Sequence, residues 1–300
     1  MRADLGWSFT DAGEMNTANA VGYLAGALFA APFGRRHGDK RVFASGLLLT
    51  ALTVGASALT PNFFALLTLR LIAGFTGALA FITGAALTSS AAAGGSASRA
   101  PTLFGVYFAG AGIGVTAAAL ALPPLLAAQG WRAGWLMLGI LALAATIFGW
   151  QALRHVPPPS HDVQSGRGGW SPRFMACKLL AYTLFGAGYI AYATFIIAYL
   201  RADEHFSGLA VTFFWTLLGL AAVAASVTSF ARRVVAPHAV TAAIATLTIA
   251  FGLGQCIGPV LSGALSDGPA GVRAGLWLSV GILAVAVIAA AFQPEPEVAP

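Results

Sequence analysis

The sequence predicts an all-α, polytopic membrane helix bundle of about nine transmembrane helices. Its 300 residues are 58% hydrophobic and only 9% charged, against roughly 25% charged in a soluble domain, and the mean hydropathy is +0.80. Nine apolar stretches are long enough to cross about 30 Å of hydrocarbon, which takes roughly 17–25 helical residues. Basic residues concentrate in alternate connections. An open strand edge has no hydrogen-bond partners in lipid, so apolar runs of this length with scattered glycine are helices.

Taken in order, the stretches run approximately 15–33, 43–60, 63–88, 102–127, 135–152, 175–200, 208–230, 239–264 and 274–292. The first carries Asn16 and Asn19 at i and i+3, as interhelical glue or as cavity polar groups, and ends in the basic loop Gly34–Arg41 before the second. That loop serves as a topology anchor or as a site for inner-leaflet headgroups. The third is apolar throughout except for Arg70, the only charge between Val42 and Ser98. A charge in a lipid-length helix costs at least a few kcal/mol, about +2.5 to +3.5 on insertion scales. It is kept where it faces protein, water or a partner. Gly74 and Gly77 share its helical face at i+4 and i+7 and admit a neighbouring backbone. Two readings stand: a functional arginine facing the bundle interior, or one that snorkels to the water interface about 10 Å away.

The fourth stretch brings Gly105, Gly110, Gly112 and Gly114 together and holds Tyr107, a cavity candidate. Gly110 and Gly114 form GxxxG, a weak signal in an Ala/Gly-rich span. After the fifth comes the longest connection, 153–174, with Pro157-Pro158-Pro159 and several glycines and bases. It divides the chain into an N-terminal bundle of five spans (1–152) and a C-terminal bundle of four (175–300). The sixth carries Tyr182, Tyr189, Tyr192 and Tyr199 on one face; Tyr199 is an interface anchor, and Tyr189 and Tyr192 either line a polar cavity or bond between helices. The seventh is apolar. The eighth contains Gly252-Leu253-Gly254-Gln255-Cys256-Ile257-Gly258-Pro259, where Gly258 and Pro259 allow a kink. Gln255 is an amide needing a partner, either another helix or substrate. The ninth leads into a short polar tail, 293–300.

The charges orient the bundle. With the N-terminus outside, the inner segments hold eleven bases (Arg35, Arg36, Lys40, Arg41, Arg99, Arg154, Arg167, Arg173, Lys178, Arg232 and Arg233). The outer segments hold four, Arg2, Arg132, Arg201 and Arg273, beside six acids, Asp4, Asp11, Glu14, Asp203, Glu204 and Asp267. The positive-inside rule therefore places the N-terminus outside and the C-terminus in the cytoplasm, in a bacterial inner membrane. The +6 net charge is accounted for by this sidedness and gives no nucleic-acid signal. The start, Met1-Arg2-Ala3-Asp4-Leu5-Gly6, is not that of a signal peptide.

Enzyme chemistry is poorly supported. No expected span contains Asp or Glu, His37, His155, His161, His205 and His238 fall in loops or at span ends, and Cys177 and Cys256 sit in apolar stretches without a disulfide framework. No cofactor or metal is expected. The expected partners are the lipid bilayer and a small-molecule substrate, with protons as a candidate coupling ion.

The basic loop Gly34–Arg41, the Arg70–Gly74 segment, the Gly105–Gly114 run, Gly130-Trp131-Arg132-Ala133-Gly134-Trp135, Leu184–Ile190 and Ala250–Asp267 together resemble the major facilitator superfamily of secondary transporters, most closely its YbfB/YjiJ-like branch. The resemblance implies two six-helix bundles rocking about a central site, often coupled to protons. It casts Arg70 as the superfamily's fourth-helix arginine, tied to coupling or substrate charge, and Gly105–Gly114 as its fifth-helix packing and rocking motif. Arg35 stands where an aspartate is usual, which puts the usual inter-bundle charge contact there in doubt. Twelve helices are expected against nine: the first family helix is missing before Met1, and beyond about Ala225 the text passes directly into Val227–Arg233, which resembles the end of the tenth. The expectation is an incomplete twelve-helix fold, which is either an active transporter or a non-transporting remnant, and which is unstable alone or forms a homo-oligomer to cover its open faces.

Overall fold

The computed structural model describes residues 1–92, 99–157, 176–202, 206–231 and 237–292. Among these it contains eight helices and no strand: α1 (Phe9–His37), α2 (Asp39–Ala56), α3 (Phe63–Ala92), α4 (Arg99–Leu153), α5 (Ala176–Ala202), α6 (Gly208–Ala231), α7 (Pro237–Ser266) and α8 (Val272–Ala291). The connection 158–174, with Arg167 and Arg173, lies outside the described residues, as do His161, Asp203, Glu204, His205, Arg232, Arg233 and the tail 293–300.

Eight helices stand where nine separate ones were expected, because α4 runs through both the fourth and the fifth stretch. At about 1.5 Å per residue its 55 residues would reach roughly 80 Å as a straight rod, far beyond one bilayer. It is not straight. Gly130 leaves the helical conformation at φ 75, ψ −174, a φ that L side chains avoid. A Cβ placed on Gly134 would meet Leu126 at 2.9 Å and Leu122 at 3.3 Å, so the arms 99–129 and 131–153 double back side by side.

Five helices contain segments long and apolar enough to cross a membrane: Phe63–Ala92, Thr102–Leu153, Ala176–Leu200, Thr246–Ser266 and Val272–Ala291. α1 falls outside this set because glycine, threonine and asparagine dilute its apolar run, and α2 because its 18 residues open on three charges. α1 and α2 are joined by one residue, Gly38, at φ 85. At its start α1 is closed by a capping box: Ser8 Oγ accepts from the Asp11 amide at 3.0 Å and Asp11 Oδ2 accepts from the Ser8 amide at 2.8 Å.

Helices in lipid gain little from the hydrophobic effect between themselves and associate through close packing. Here that packing rests on glycine. α1 lies on α3 with Gly22 and Gly26 against the carbonyls of Leu71 and Phe75, and Gly74 against the carbonyl of Asn19. α5 lies on α7 with Gly186, Gly254 and Gly258 against the carbonyls of Phe251, Thr183 and Ala187. α1 also crosses α7, and α4 packs on both α2 and α6. Beside the α1–α3 seam, Ala27, Ala30, Val42, Leu79 and Ile82 form a buried cluster covered by Phe33, Phe75 and Phe81. Large apolar side chains are exposed around the outside, Phe29, Phe148, Trp277 and Val287 among them, a surface suited to lipid rather than water.

Candidate functional site

Polar contacts concentrate where α1 meets α5 and α7. Asn16 Nδ2 donates to Thr194 Oγ1 of α5 at 2.8 Å, and Thr17 Oγ1 donates to the carbonyl of Cys256 on α7 at 3.0 Å. Gly13 of α1 sits on the carbonyl of Pro259. The seam closes at the start of α1. There Asp267, just past α7, accepts from the amide of Phe9 at 2.8 Å, the amide of Thr10 at 2.9 Å and the hydroxyl of Thr10 at 2.5 Å. A carboxylate from one end of the chain thus satisfies free amides of a helix from the other, 257 and 258 residues away in sequence.

Desolvation pushes the Asp267 carboxyl upward. The Thr10 hydroxyl, the two amides and the charge of Arg2 outweigh it and hold the carboxyl below the usual carboxylate range. The clasp is therefore fully present above the ordinary carboxylate pKa and is lost as pH falls through the depressed one, so it persists through neutral and mildly acidic conditions. In Asp267→Asn and Asp267→Ala, hydrogen exchange at the Phe9 and Thr10 amides should quicken roughly three- to tenfold, a modest effect because water reaches the clasp. Unchanged protection by mass spectrometry at neutral pH would dismiss the clasp.

Arg70 turns elsewhere. Its guanidinium lies 4.4 Å from the ring centroid of Trp135, on the second arm of α4, and donates to Ser57 Oγ, just past α2, at 3.4 Å. Trp135 Nε1 in turn donates to the sulfur of Met1 at 3.3 Å. The Arg70 Nε is buried without a hydrogen-bond partner. Arg70 thus sits at a junction of α2, α3 and α4, and its side-chain contacts are with Ser57 and Trp135 and not with Asn16, Thr17 or Asp267. Only its backbone joins that side, accepting from Asn19 Nδ2 at 3.0 Å.

Other expected residues divide by environment. Tyr107 is packed between α3 and α4, donating to the carbonyl of Phe81 at 2.5 Å, and its hydroxyl lies against Gly84. Tyr189 is half-buried and stacks on Phe185 at 5.5 Å. Tyr192 and Gln255 are half-buried on α5 and α7, and no hydrogen bond to either side chain is found among the described residues. Gly258 and Pro259 are buried in the seams with α5 and α1, whereas Gly77 has only Thr50 Oγ1 nearby, at 3.8 Å. Gly105 is buried, but Gly110 and Gly114 have nothing within 4 Å of an added Cβ.

A cavity of about 450 Å³ lies between the first arm of α4, α5 and α6, lined by Val115, Leu122, Pro123, Ile197, Thr212 and Trp215 among others. None of the expected cavity residues lines it. Trp215 Nε1 is buried there without an acceptor. Sequence reasoning missed Trp215, the stacking of Trp135 on Arg70 and the clasping role of Asp267. The available signals were a tryptophan within an apolar stretch, another at the start of one, and an acid directly after one.

The family model described as "Uncharacterised MFS-type transporter YbfB" matches residues 1–232 and, separately, 222–291. No curated protein sequence matches the chain. Among solved structures, the human organic anion transporter MFSD10 (TETRAN) superposes with a TM-score of 0.59 at 16% identity, covering 94% of this chain and 82% of its own. The nucleoside transporter NupG superposes at 0.61 as its D323A mutant, with 14% identity and coverage of 97% and 92%. Without that mutation it superposes at 0.58, again with 14% identity, and with coverage of 98% and 93%. At such identities the superpositions speak to fold, and the family match spans nearly the whole sequence. The chain belongs to the YbfB-type family of major facilitator transporters and is a multi-pass membrane protein.

Proposed function

We propose that the chain is a secondary transporter of a small organic solute, working by alternating access between α1–α4 and α5–α8 and coupled to protons. It sits in a bacterial inner membrane with its N-terminus outside and its C-terminus in the cytoplasm. The observation that carries this reading is the cavity of about 450 Å³ between α4, α5 and α6, whose walls come from both halves of the chain. Pockets of roughly 300–1,000 Å³ take small molecules. Its walls are apolar apart from Thr212 and the unpartnered Trp215 Nε1, so the fitting solute is mostly apolar with a hydrogen-bond acceptor for that donor. The solved relatives are named as transporters of organic anions and nucleosides, which agrees with a small organic solute. The α1–α7 and α4–α6 contacts are the interfaces that rocking would remake.

Proteoliposomes under an imposed pH gradient test the proposal: flux of an acceptor-bearing apolar solute is expected. Trp215→Phe, which keeps the ring and loses the donor, should raise KM roughly three- to tenfold. No flux across a broad solute panel would defeat it. The alternative is a non-transporting remnant of such a transporter. It draws on the family match in two pieces that overlap at 222–232 and on the open face of Gly110 and Gly114. Folded protein without flux would favour it.

A further inference from the structure

At the end of the bundle away from Asp267, α2 and the second arm of α4 leave a groove of about 420 Å³. Lys40, Arg41 and Arg154 stand at its mouth, and Ala44, Leu48 and Trp150 lie along it. The three bases come from two elements, the first turn of α2 and the residue just past α4. Among the described residues no carboxylate lies within ion-pair distance of any of them. Asp39, the acid nearest in sequence, is buried with a carboxylate oxygen against Gly34. The mouth is therefore a concentrated positive field, and the start of α2 adds the positive end of a helix dipole.

The rest of the groove has the opposite chemistry. Positions 40, 41, 44 and 48 follow one face of α2 for about 12 Å at the helical rise. Leu48 is 38% exposed and Trp150 57% exposed. Free phosphate would answer the bases and leave this apolar length bare. A neutral lipid would cover the apolar length and leave the bases without a counter-charge. An amphiphile with an anionic head and a hydrocarbon tail answers both, and the chain is a membrane protein whose basic loops meet a leaflet surface.

We infer that this groove is a binding site for one anionic phospholipid, its phosphate held by Lys40, Arg41 and Arg154 and an acyl chain laid along Leu48 and Trp150. The full chain in detergent micelles is titrated with phosphatidylglycerol, phosphatidylcholine and inorganic phosphate, with thermal unfolding as the first readout. Quenching of tryptophan fluorescence by chain-brominated phosphatidylglycerol is the second, with Trp150→Phe as reference. Phosphatidylglycerol is expected to bind about tenfold more tightly than phosphatidylcholine. It should quench a component absent from Trp150→Phe, and its advantage should fall to within about twofold in the Lys40→Gln/Arg41→Gln/Arg154→Gln variant. Equal affinity for the two lipids would overturn the site, as would an advantage that survives the triple substitution. Stabilisation by inorganic phosphate without quenching would make it a free-anion site and overturn the lipid assignment. Should the triple variant not fold, Arg154→Gln alone, at an exposed position beyond α4, should cut the preference about threefold; an unchanged preference would likewise overturn the site.

Discussion

Gly74→Val is expected to leave no folded protein in the membrane, while Gly77→Ala and Gly110→Val fold as the parent does. A Cβ at Gly74 would overlap the carbonyl oxygen of Asn19 and stand 2.9 Å from both the Asn19 carbonyl carbon and the Tyr23 amide. All three atoms are backbone of α1, so no side chain can swing aside. Moving α1 away would break the Asn19–Arg70 hydrogen bond of 3.0 Å and lift Gly22 and Gly26 from the same seam. Overpacking ordinarily costs about 1–3 kcal/mol and more where the neighbours are fixed, against a total margin of roughly 5–15 kcal/mol. Gly77 has ordinary contact distance to Thr50, and Gly110 has open space. Detergent-extracted yield and unfolding temperature measure the contrast, and a stable Gly74→Val would refute the seam.

Arg70→Ala and Arg70→Lys are both expected to lower transport at least tenfold. A buried cation–π pair is worth about 2 kcal/mol, which corresponds to roughly thirtyfold. The guanidinium lies over Trp135 at 4.4 Å and reaches Ser57, and that geometry needs a flat, weakly hydrated cation. Lysine keeps the charge and loses the plane. Trp135→Ala should reproduce much of the loss. Flux in proteoliposomes, normalised to folded protein, decides it: near-normal activity in both Arg70 variants would mean that the side chain merely reaches toward water.

The helical architecture was legible because lipid permits few backbone solutions, and each expected stretch falls largely on a helix of the structure, although the second runs four residues past the end of α2 at Ala56. Helix ends were less legible. α1 and α2 extend beyond their apolar runs to Asp11, Glu14 and Asp39, since a capping box or a one-residue link sets the end and hydropathy does not. The glycines could not be ranked from the sequence. Gly74 and Gly110 both occur in small-residue patterns, yet one touches a backbone and the other nothing. That difference depends on which distant segment lies opposite. The same holds for Asp267, whose partners Phe9 and Thr10 are remote in the chain, and for Arg70, whose helical face was readable but whose stacking partner on α4 was not.

The reversal at Gly130 has a mechanical consequence. With so short a connection the two arms of α4 have little slack along the membrane normal, so neither can slide far without drawing the other. Gly219 of α6 is seated against Thr116 on the first arm, and Gly55 of α2 lies against Gly139 on the second. Force applied to α6 is therefore delivered to α2, and α4 acts as a lever linking two helices that belong to opposite halves of the chain.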